Sequence, residues 1–141
     1  MNDKAPVARG WFQKADSDLA AGNVLLTSGG PFDSACFHAQ QAVEKYLKGI
    51  LTLAGSQFPF THNLEQLQQI GEANIPGWPF KALALDELTS YAVQIRYDFE
   101  FWPDQETAAQ ALELAEEVRS RTMKFAPEDA HPRKRVSEPS V

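Results

Sequence analysis

Apolar residues recur every three or four positions along most of the chain, and clusters of Gly and Pro interrupt this pattern in a few places. Such a period is typical of α-helices that bury one face. The segments predicted as helical are residues 7–26, 33–55, 61–71, a fourth that starts at residue 85 and is stopped by Pro103, and 104–125. No stretch of useful length alternates apolar and polar residues as a strand would. The pattern therefore predicts an all-α, up-and-down bundle of four to five helices.

The second predicted helix has the widest apolar face. At about 100° per residue, its apolar side chains from Ala35 to Leu53 cover an arc of about 200°, which suits the central helix of a bundle. The opposite side carries one narrow polar stripe that runs the length of the helix. This stripe contains Ser34, His38, Gln41, Lys45, Lys48 and Thr52.

Local signals mark the helix ends. Asn63 and Gln66 have the spacing of a capping box, and Asp104 follows Pro103 in the position of an N-cap. Glu117 and Arg121 are spaced to pair across one turn of the last helix. Residues 1–125 are therefore predicted to form one domain. Residues 126–141 contain three prolines, many charges and few apolar residues, and we expect them to be a disordered tail.

Composition limits the classes of function. A chain of 141 residues with 43% hydrophobic residues is long enough for one domain with its own core. Its net charge of -6 disfavours general nucleic-acid binding. We expect a cytoplasmic protein, because Cys36 is the only cysteine, the first ten residues lack a signal-peptide core, and no apolar run reaches bilayer length. No metal site is expected, because no ligands stand at zinc spacing beside the cysteine.

Part of the polar stripe is a candidate anion site. Lys45 and Lys48 could attract a phosphate, while His38 and Gln41 could supply hydrogen bonds to a phosphate or a base. The alternative is an ordinary solvated helix face. Glu44 precedes Lys48 by four residues and could neutralise its charge, which would weaken an anion site.

Arg96 is the second candidate for ligand binding. It projects close to Leu85 and Ala92, on the apolar side of the fourth helix, where an unpaired guanidinium would be unfavourable. We expect it to pair with an acidic residue or to contact a ligand, and pairing is the favoured alternative. The acidic candidates are Asp98, Glu100 and Asp104.

Aromatic residues near the end of the fourth helix could face a partner or join the core. Tyr97 and Trp102 are candidates for a partner surface. The set Phe99, Phe101, Trp102, Trp78 and Phe80 could stack on bases, but we expect it to belong to the core. His62 stands at a predicted helix start, where capping or packing is favoured over catalysis.

Several of these motifs together resemble the HEPN family. The segment ACFHAQQAVEKYLKGIL from Ala35 to Leu51 is followed by Gly55 and by THNL at residues 61–64, in the order and spacing of that family. The resemblance extends from the aromatic first helix to the dipeptide of Arg96 and Tyr97 and the closing Glu- and Ala-rich helix. It leaves out only the tail.

The resemblance implies a helical bundle that is commonly a homodimer, is often encoded beside a minimal nucleotidyltransferase, and binds nucleotides. The helical domain of kanamycin nucleotidyltransferase is similar. Other members are ribonuclease toxins that use an arginine and a histidine shortly after it. This chain departs from that motif, because no histidine lies between Arg96 and Asp104, and His131 is far outside the spacing. Without the histidine, the usual proton carrier for RNA cleavage is missing.

The resemblance and the motifs lead to one main functional hypothesis and two alternatives. The main hypothesis is a non-catalytic HEPN protein that binds a nucleotide, a nucleotidyltransferase partner or both, in a pair of the toxin-antitoxin kind. No cofactor is expected apart from a nucleotide ligand. The enzymatic alternative is a ribonuclease toxin with a divergent site that combines Arg96 with His38 or His62. The third is a purely structural protein-interaction module.

Overall fold

The computed structural model describes residues 3–133 and contains five α-helices. These are α1 (Ala5–Thr27), α2 (Phe32–Leu53), α3 (Leu64–Asn74), α4 (Asp86–Tyr97) and α5 (Gln105–Phe125), and a short 3-10 helix follows at Glu128–Ala130. Residues 3–133 contain no β-strand. The predicted all-α bundle is confirmed. In the same part of the chain, no helix is both long and apolar enough to span a bilayer.

Helix α2 lies at the centre of the bundle, as its wide apolar face predicts. It packs against α1, α3, α4 and α5, and thirteen of its twenty-two residues are buried. Tyr46, Leu47, Ile50 and Leu51 from its predicted apolar arc are fully buried. Because α2 contacts every other α-helix, side chains on several of its faces are positioned by tertiary contacts rather than by solvent.

Helices α1 and α2 form a close antiparallel pair. The turn between them passes through Gly29 and Gly30, whose φ angles of 89° and 113° favour glycine. Gly49 on α2 lies directly against the ring of Phe12 on α1. The absence of a side chain at Gly49 therefore allows the two helices to approach closely.

Both predicted helix caps are present. The side chain of Asn63 accepts a hydrogen bond from the backbone N–H of Gln66 at 3.1 Å, and Asp104 accepts one from Thr107 at 2.9 Å. Two predicted helix ends differ. Helix α3 continues to Asn74, beyond the expected end near residue 71, and α4 ends at Tyr97, well before the expected stop at Pro103.

The first part of the predicted tail is packed on the bundle. Ala126 and Ala130 are buried, and the 3-10 helix contacts α1, where Arg9 donates a hydrogen bond to the backbone carbonyl of Asp129. The expectation of disorder was therefore wrong for residues 126–133. Two buried alanines and the hydrogen bond from Arg9 hold this segment on the bundle. Residues 134–141, the rest of the predicted tail, lie outside the described residues.

Candidate functional site

Two side chains of the polar stripe, His38 and Lys45, are bound by a carboxylate of α1. His38 Nδ1 lies 2.9 Å from Asp18 Oδ1, and the Lys45 ammonium donates to Asp18 Oδ2. Gln41 donates to the side-chain oxygen of Gln40 at 2.8 Å. The stripe is therefore not a freely solvated face here, and an anion near Lys45 would have to compete with Asp18.

Lys48 is buried and paired, although its position in the stripe suggests exposure. Its ammonium lies 3.0 Å from Glu44 Oε2, and the two residues are 5% and 3% exposed. The rings of Trp11 and Phe60 lie over the same ammonium, each with its centroid 5.7 Å away. The predicted neutralisation of Lys48 by Glu44 is confirmed. Two aromatic faces stabilise the charge further.

Glu44 also holds the residue that precedes the cap of α3. His62 Nδ1 lies 3.0 Å and 3.2 Å from the two carboxylate oxygens of Glu44. Gln40 donates to Glu44 Oε1 at 3.2 Å and to the backbone carbonyl of His62 at 3.4 Å. Asn63 caps α3, so His62 does not have the capping role that was one of its two favoured roles. It is instead oriented by a buried carboxylate.

His62 and Arg96 line the same cavity. This cavity has a volume of about 270 Å³ and lies between the residues at the start of α3 and the outer face of α4. We call it the Arg96 cavity. Its lining residues are His62, Asn63, Thr89, Ala92, Val93, Arg96 and Tyr97. His38, Gln41, Lys45 and Lys48 do not line it, so the predicted ligand-binding residues fall into two separate places.

The side chain of Arg96 is exposed and makes no ion pair or hydrogen bond within residues 3–133. The expected pairing with Asp98, Glu100 or Asp104 was therefore wrong for the described residues. The Asp98 carboxylate accepts a hydrogen bond from the backbone N–H of Glu100 at 3.0 Å, and the Asp104 carboxylate caps α5. Both carboxylates are thus already bound to backbone groups.

The expected burial of Arg96 was also wrong, and the reason is the orientation of α4. This helix lies at the edge of the bundle and buries Leu88 and Tyr91. Arg96 follows the partly buried Ile95 by one position, which rotates it by about 100° away from the core. The guanidinium is therefore presented to solvent at the mouth of the cavity.

Comparison with protein-family models gives a match to the HEPN domain over residues 8–125. The chain belongs to the HEPN family. Searches of curated proteins and of solved structures give no significant match. The matched HEPN domain includes nearly all of α1 and the whole of α2 to α5, so both Glu44 and the Arg96 cavity lie within it.

The aromatic residues of the HEPN domain do not form the single core cluster that we expected. Trp78 and Phe80 are in the core and contact each other edge-on, with ring centroids 5.1 Å apart. By contrast, Phe99 is 85% exposed and Trp102 is 74% exposed, because α4 ends before them. Tyr97 is 76% exposed. Tyr97 and Trp102 are therefore accessible to a partner, and their role in binding one stays a prediction.

A second polar cluster in the HEPN domain was not identified from the sequence. The Tyr46 hydroxyl and Arg119 Nε both donate to Asp16 Oδ1, the latter at 2.9 Å. Burial and its hydrogen bond to Asp16 raise the pKa of Tyr46, and the separate hydrogen bond from Arg119 to Asp16 raises the pKa of Arg119. Since each charge has a partner, the cluster links α1, α2 and α5 rather than offering a free binding group.

The remaining reactive groups do not form a site. Burial, with a smaller contribution from Asp33, raises the pKa of the Cys36 thiol to about 11, so it is protonated and unreactive at neutral pH. No group of three or more His, Cys, Asp or Glu side chains in residues 3–133 is arranged to hold a metal ion.

Proposed function

We propose that this HEPN protein binds a nucleotide in the Arg96 cavity and does not act on it chemically. One observation supports this most directly: an exposed guanidinium with no acidic partner in residues 3–133 lines a cavity of about 270 Å³. Arginine binds phosphate oxygens through two parallel N–H groups. The apolar groups of Ala92 and Val93, with the ring of Tyr97, would contact the base.

The polar stripe of α2 is a weaker location for the same ligand. A phosphate there would have to displace the Asp18 carboxylate from His38 and Lys45, or the Glu44 carboxylate from Lys48. Removing an oxygen ligand from a buried ammonium is unfavourable. Arg96 requires no such exchange, so the same interaction with phosphate gives a larger net gain at the Arg96 cavity.

Thermal unfolding with AMP, ADP, ATP and GTP would test nucleotide binding and its location. A ligand that binds only the folded state stabilises it by about 2.7 kcal/mol at a hundredfold excess over its Kd. We expect at least one nucleotide to raise the midpoint of the wild-type protein and of Lys45→Met, and to raise that of Arg96→Met much less. Lys45→Met is the matched control, since it removes one cation from the stripe.

Two outcomes would overturn this proposal. If no nucleotide shifted the midpoint at millimolar concentration, nucleotide binding would be rejected. If the shift survived in Arg96→Met and disappeared in Lys45→Met, the ligand would bind the stripe instead. Because Arg96 is exposed and unpaired in the described residues, its substitution should leave the unfolding midpoint without ligand nearly unchanged.

A second candidate function is RNA cleavage by His62 together with Arg96. The observation that favours it is the contact between Glu44 and His62 Nδ1, since a carboxylate on one ring nitrogen orients an imidazole and leaves Nε2 for proton transfer. Purified wild-type protein and His62→Gln would be incubated with a mixed-sequence RNA. Cleavage by the wild-type protein alone would support this candidate, and no cleavage by either would remove it.

The exposed aromatic residues support a protein partner in addition to the nucleotide. A minimal nucleotidyltransferase, as found beside other HEPN proteins, and a second copy of the chain are the two partners to test. Tyr97 and Trp102 would contribute to such an interface, because aromatic residues are enriched in interface cores. Sedimentation of the protein alone and mixed with the nucleotidyltransferase, with Trp102→Ser as the variant, would measure both associations. A pair of this kind could act as a toxin and its antitoxin.

A further inference from the structure

Among the described residues that line the Arg96 cavity, Arg96 is the only Lys or Arg. The other ionisable groups in its lining are His62, whose Nδ1 faces the carboxylate of Glu44, and the phenol of Tyr97. The ammonium of Lys48 belongs to the same buried cluster but is bound by Glu44 at 3.0 Å. A ligand in the cavity would therefore meet one cation that is not already balanced by a carboxylate.

Two carboxylates lie close in sequence to residues that line the cavity. Exposed Asp98 follows Tyr97, and exposed Glu65 lies in the first turn of α3, two residues after Asn63. Neither carboxylate has an ion-pair partner within residues 3–133. These flanking residues therefore add no cation that could balance further phosphates on a ligand.

The volume of the cavity also limits the ligand. Pockets for drug-sized molecules usually measure about 300–1,000 Å³, and this cavity of about 270 Å³ lies just below that range. This size matches one nucleoside better than a dinucleotide. The available space thus favours a mononucleotide, and the single unpaired cation among the described lining residues favours one phosphate.

We infer that the Arg96 cavity selects nucleoside monophosphates over the corresponding di- and triphosphates, and binds them without a divalent cation. This inference rests on the proposed nucleotide binding and specifies its ligand class. One bidentate guanidinium matches one phosphate group, which carries a charge of about -1.5 to -2 at pH 7. Each further phosphate would add charge that no second unpaired cation in the lining formed by residues 3–133 balances.

Isothermal titration of the full chain with adenosine, AMP, ADP and ATP, each in EDTA and in magnesium, would measure this selectivity. We expect AMP to bind most tightly, with about a tenfold weaker affinity for ATP, which corresponds to about 1.4 kcal/mol. EDTA should leave the affinity for AMP unchanged. Adenosine should bind more weakly than AMP, and Arg96→Met should reduce the affinity for AMP to that for adenosine.

A gain of charge gives a complementary test. Val93 lines the cavity and is exposed, so Val93→Lys would add a cation there with little effect on the core. We expect this variant to narrow the difference between ATP and AMP, while Val93→Gln, of similar length and neutral, leaves the difference unchanged. If both variants narrowed the difference in affinity between ATP and AMP equally, charge would not set the selectivity, and the inference would be overturned.

The outcomes separate this inference from the proposed function. ATP that binds the wild-type protein as tightly as AMP, or that binds only with magnesium, would overturn monophosphate selectivity and leave nucleotide binding in place. No binding of any nucleotide would overturn both. Affinity that falls from AMP to ADP to ATP, with the loss restored in Val93→Lys, would support the inference.

Discussion

His62 Nδ1 lies 3.0 Å from Glu44 Oε1, which joins the residue before the cap of α3 to the centre of α2. The other oxygen of the same carboxylate lies 3.0 Å from the Lys48 ammonium. Glu44 therefore has two roles. It orients His62, which lines the Arg96 cavity, and it pairs with the buried ammonium of Lys48. A change at this residue should affect both stability and ligand binding.

Substitution of Glu44 by Gln should destabilise the protein strongly. The Lys48 ammonium, which is 5% exposed, would keep its aromatic neighbours but lose its carboxylate. Removing one member of a buried ion pair typically costs about 3–5 kcal/mol. Urea unfolding of the wild-type protein and of Glu44→Gln would measure the difference in the free energy of unfolding.

The matched control removes both charges. In the double variant Glu44→Leu with Lys48→Met, no buried charge is left unpaired, so we expect a much smaller loss than in Glu44→Gln. If the double variant were as unstable as Glu44→Gln, the pairing of the two charges would not be the cause of the loss.

Gly49→Ala should destabilise the contact between α1 and α2. A Cβ at this position would lie 2.7 Å from Cδ1 of Phe12 and still closer to Cε1 of the same ring. Overpacking of this kind typically destabilises by about 1–3 kcal/mol, and it outweighs the gain of up to about 1 kcal/mol from replacing a helical glycine by alanine. Thermal and urea unfolding would detect the loss.

Gly10→Ala is the control for Gly49→Ala. Gly10 lies within α1, and nothing stands within 4 Å of the position of its Cβ. The helix-propensity gain should therefore appear alone, as an unchanged or raised unfolding midpoint. In the Gly49→Ala background, Phe12→Leu should recover part of the stability. Equal effects of the two glycine substitutions would contradict a steric cause.

The cluster around Asp16 should contribute to stability through the buried hydroxyl of Tyr46. Tyr46→Phe removes one hydrogen bond and leaves Asp16 paired with Arg119, so we expect a loss of about 1–2 kcal/mol. Asp16→Ala leaves the buried hydroxyl without its acceptor and should destabilise more. Asp16→Asn keeps an acceptor oxygen and should fall between the wild-type protein and Asp16→Ala. Urea unfolding would rank these variants by their free energy of unfolding and so test the contribution of the hydrogen bond between Tyr46 and Asp16.

The features that the sequence predicts correctly depend on short spacings. The helical segments and the central position of α2 follow from apolar residues that recur every three or four positions. The caps at Asn63 and Asp104 and the pairing of Glu44 with Lys48 also join residues three or four positions apart. The spacing of apolar residues and the capping chemistry act at the same range. Such features can be predicted before the tertiary arrangement is known.

The contacts of the candidate site required the tertiary structure. Asp18 meets Lys45 across 27 positions of sequence, and Glu44 meets His62 across 18. A helical projection identifies the stripe but not which carboxylate of another helix faces it. The error at Arg96 has a similar origin, because the position of α4 at the edge of the bundle decides which of its sides is exposed. The sequence therefore identified Arg96 as a candidate without indicating its neighbours.

The buried thiol of Cys36 should make the stability of the protein fall at alkaline pH. Its pKa rises from 9.0 to about 11 on folding, mainly because burial disfavours the thiolate. A group whose pKa is raised in the folded state favours folding fully below its unfolded pKa, and this contribution is lost as the pH rises towards the folded pKa. The relevant window therefore runs from about pH 9 to about pH 11. Cys36→Ala removes this ionisation.

Urea unfolding of the wild-type protein and of Cys36→Ala at pH 7, 9, 10 and 11 would measure the contribution. The two buried tyrosines also have raised pKa values. The shift of Tyr46 cancels in the comparison, and Tyr91 keeps the larger causes of its shift, burial and Glu87, and loses only the smallest one, the charge of Cys36. We expect the wild-type protein to lose stability more steeply than Cys36→Ala above pH 9, with parallel behaviour below that value. Parallel curves across the whole range would mean that the thiol ionises as easily in the folded protein as in the unfolded chain, and would contradict its burial as the cause.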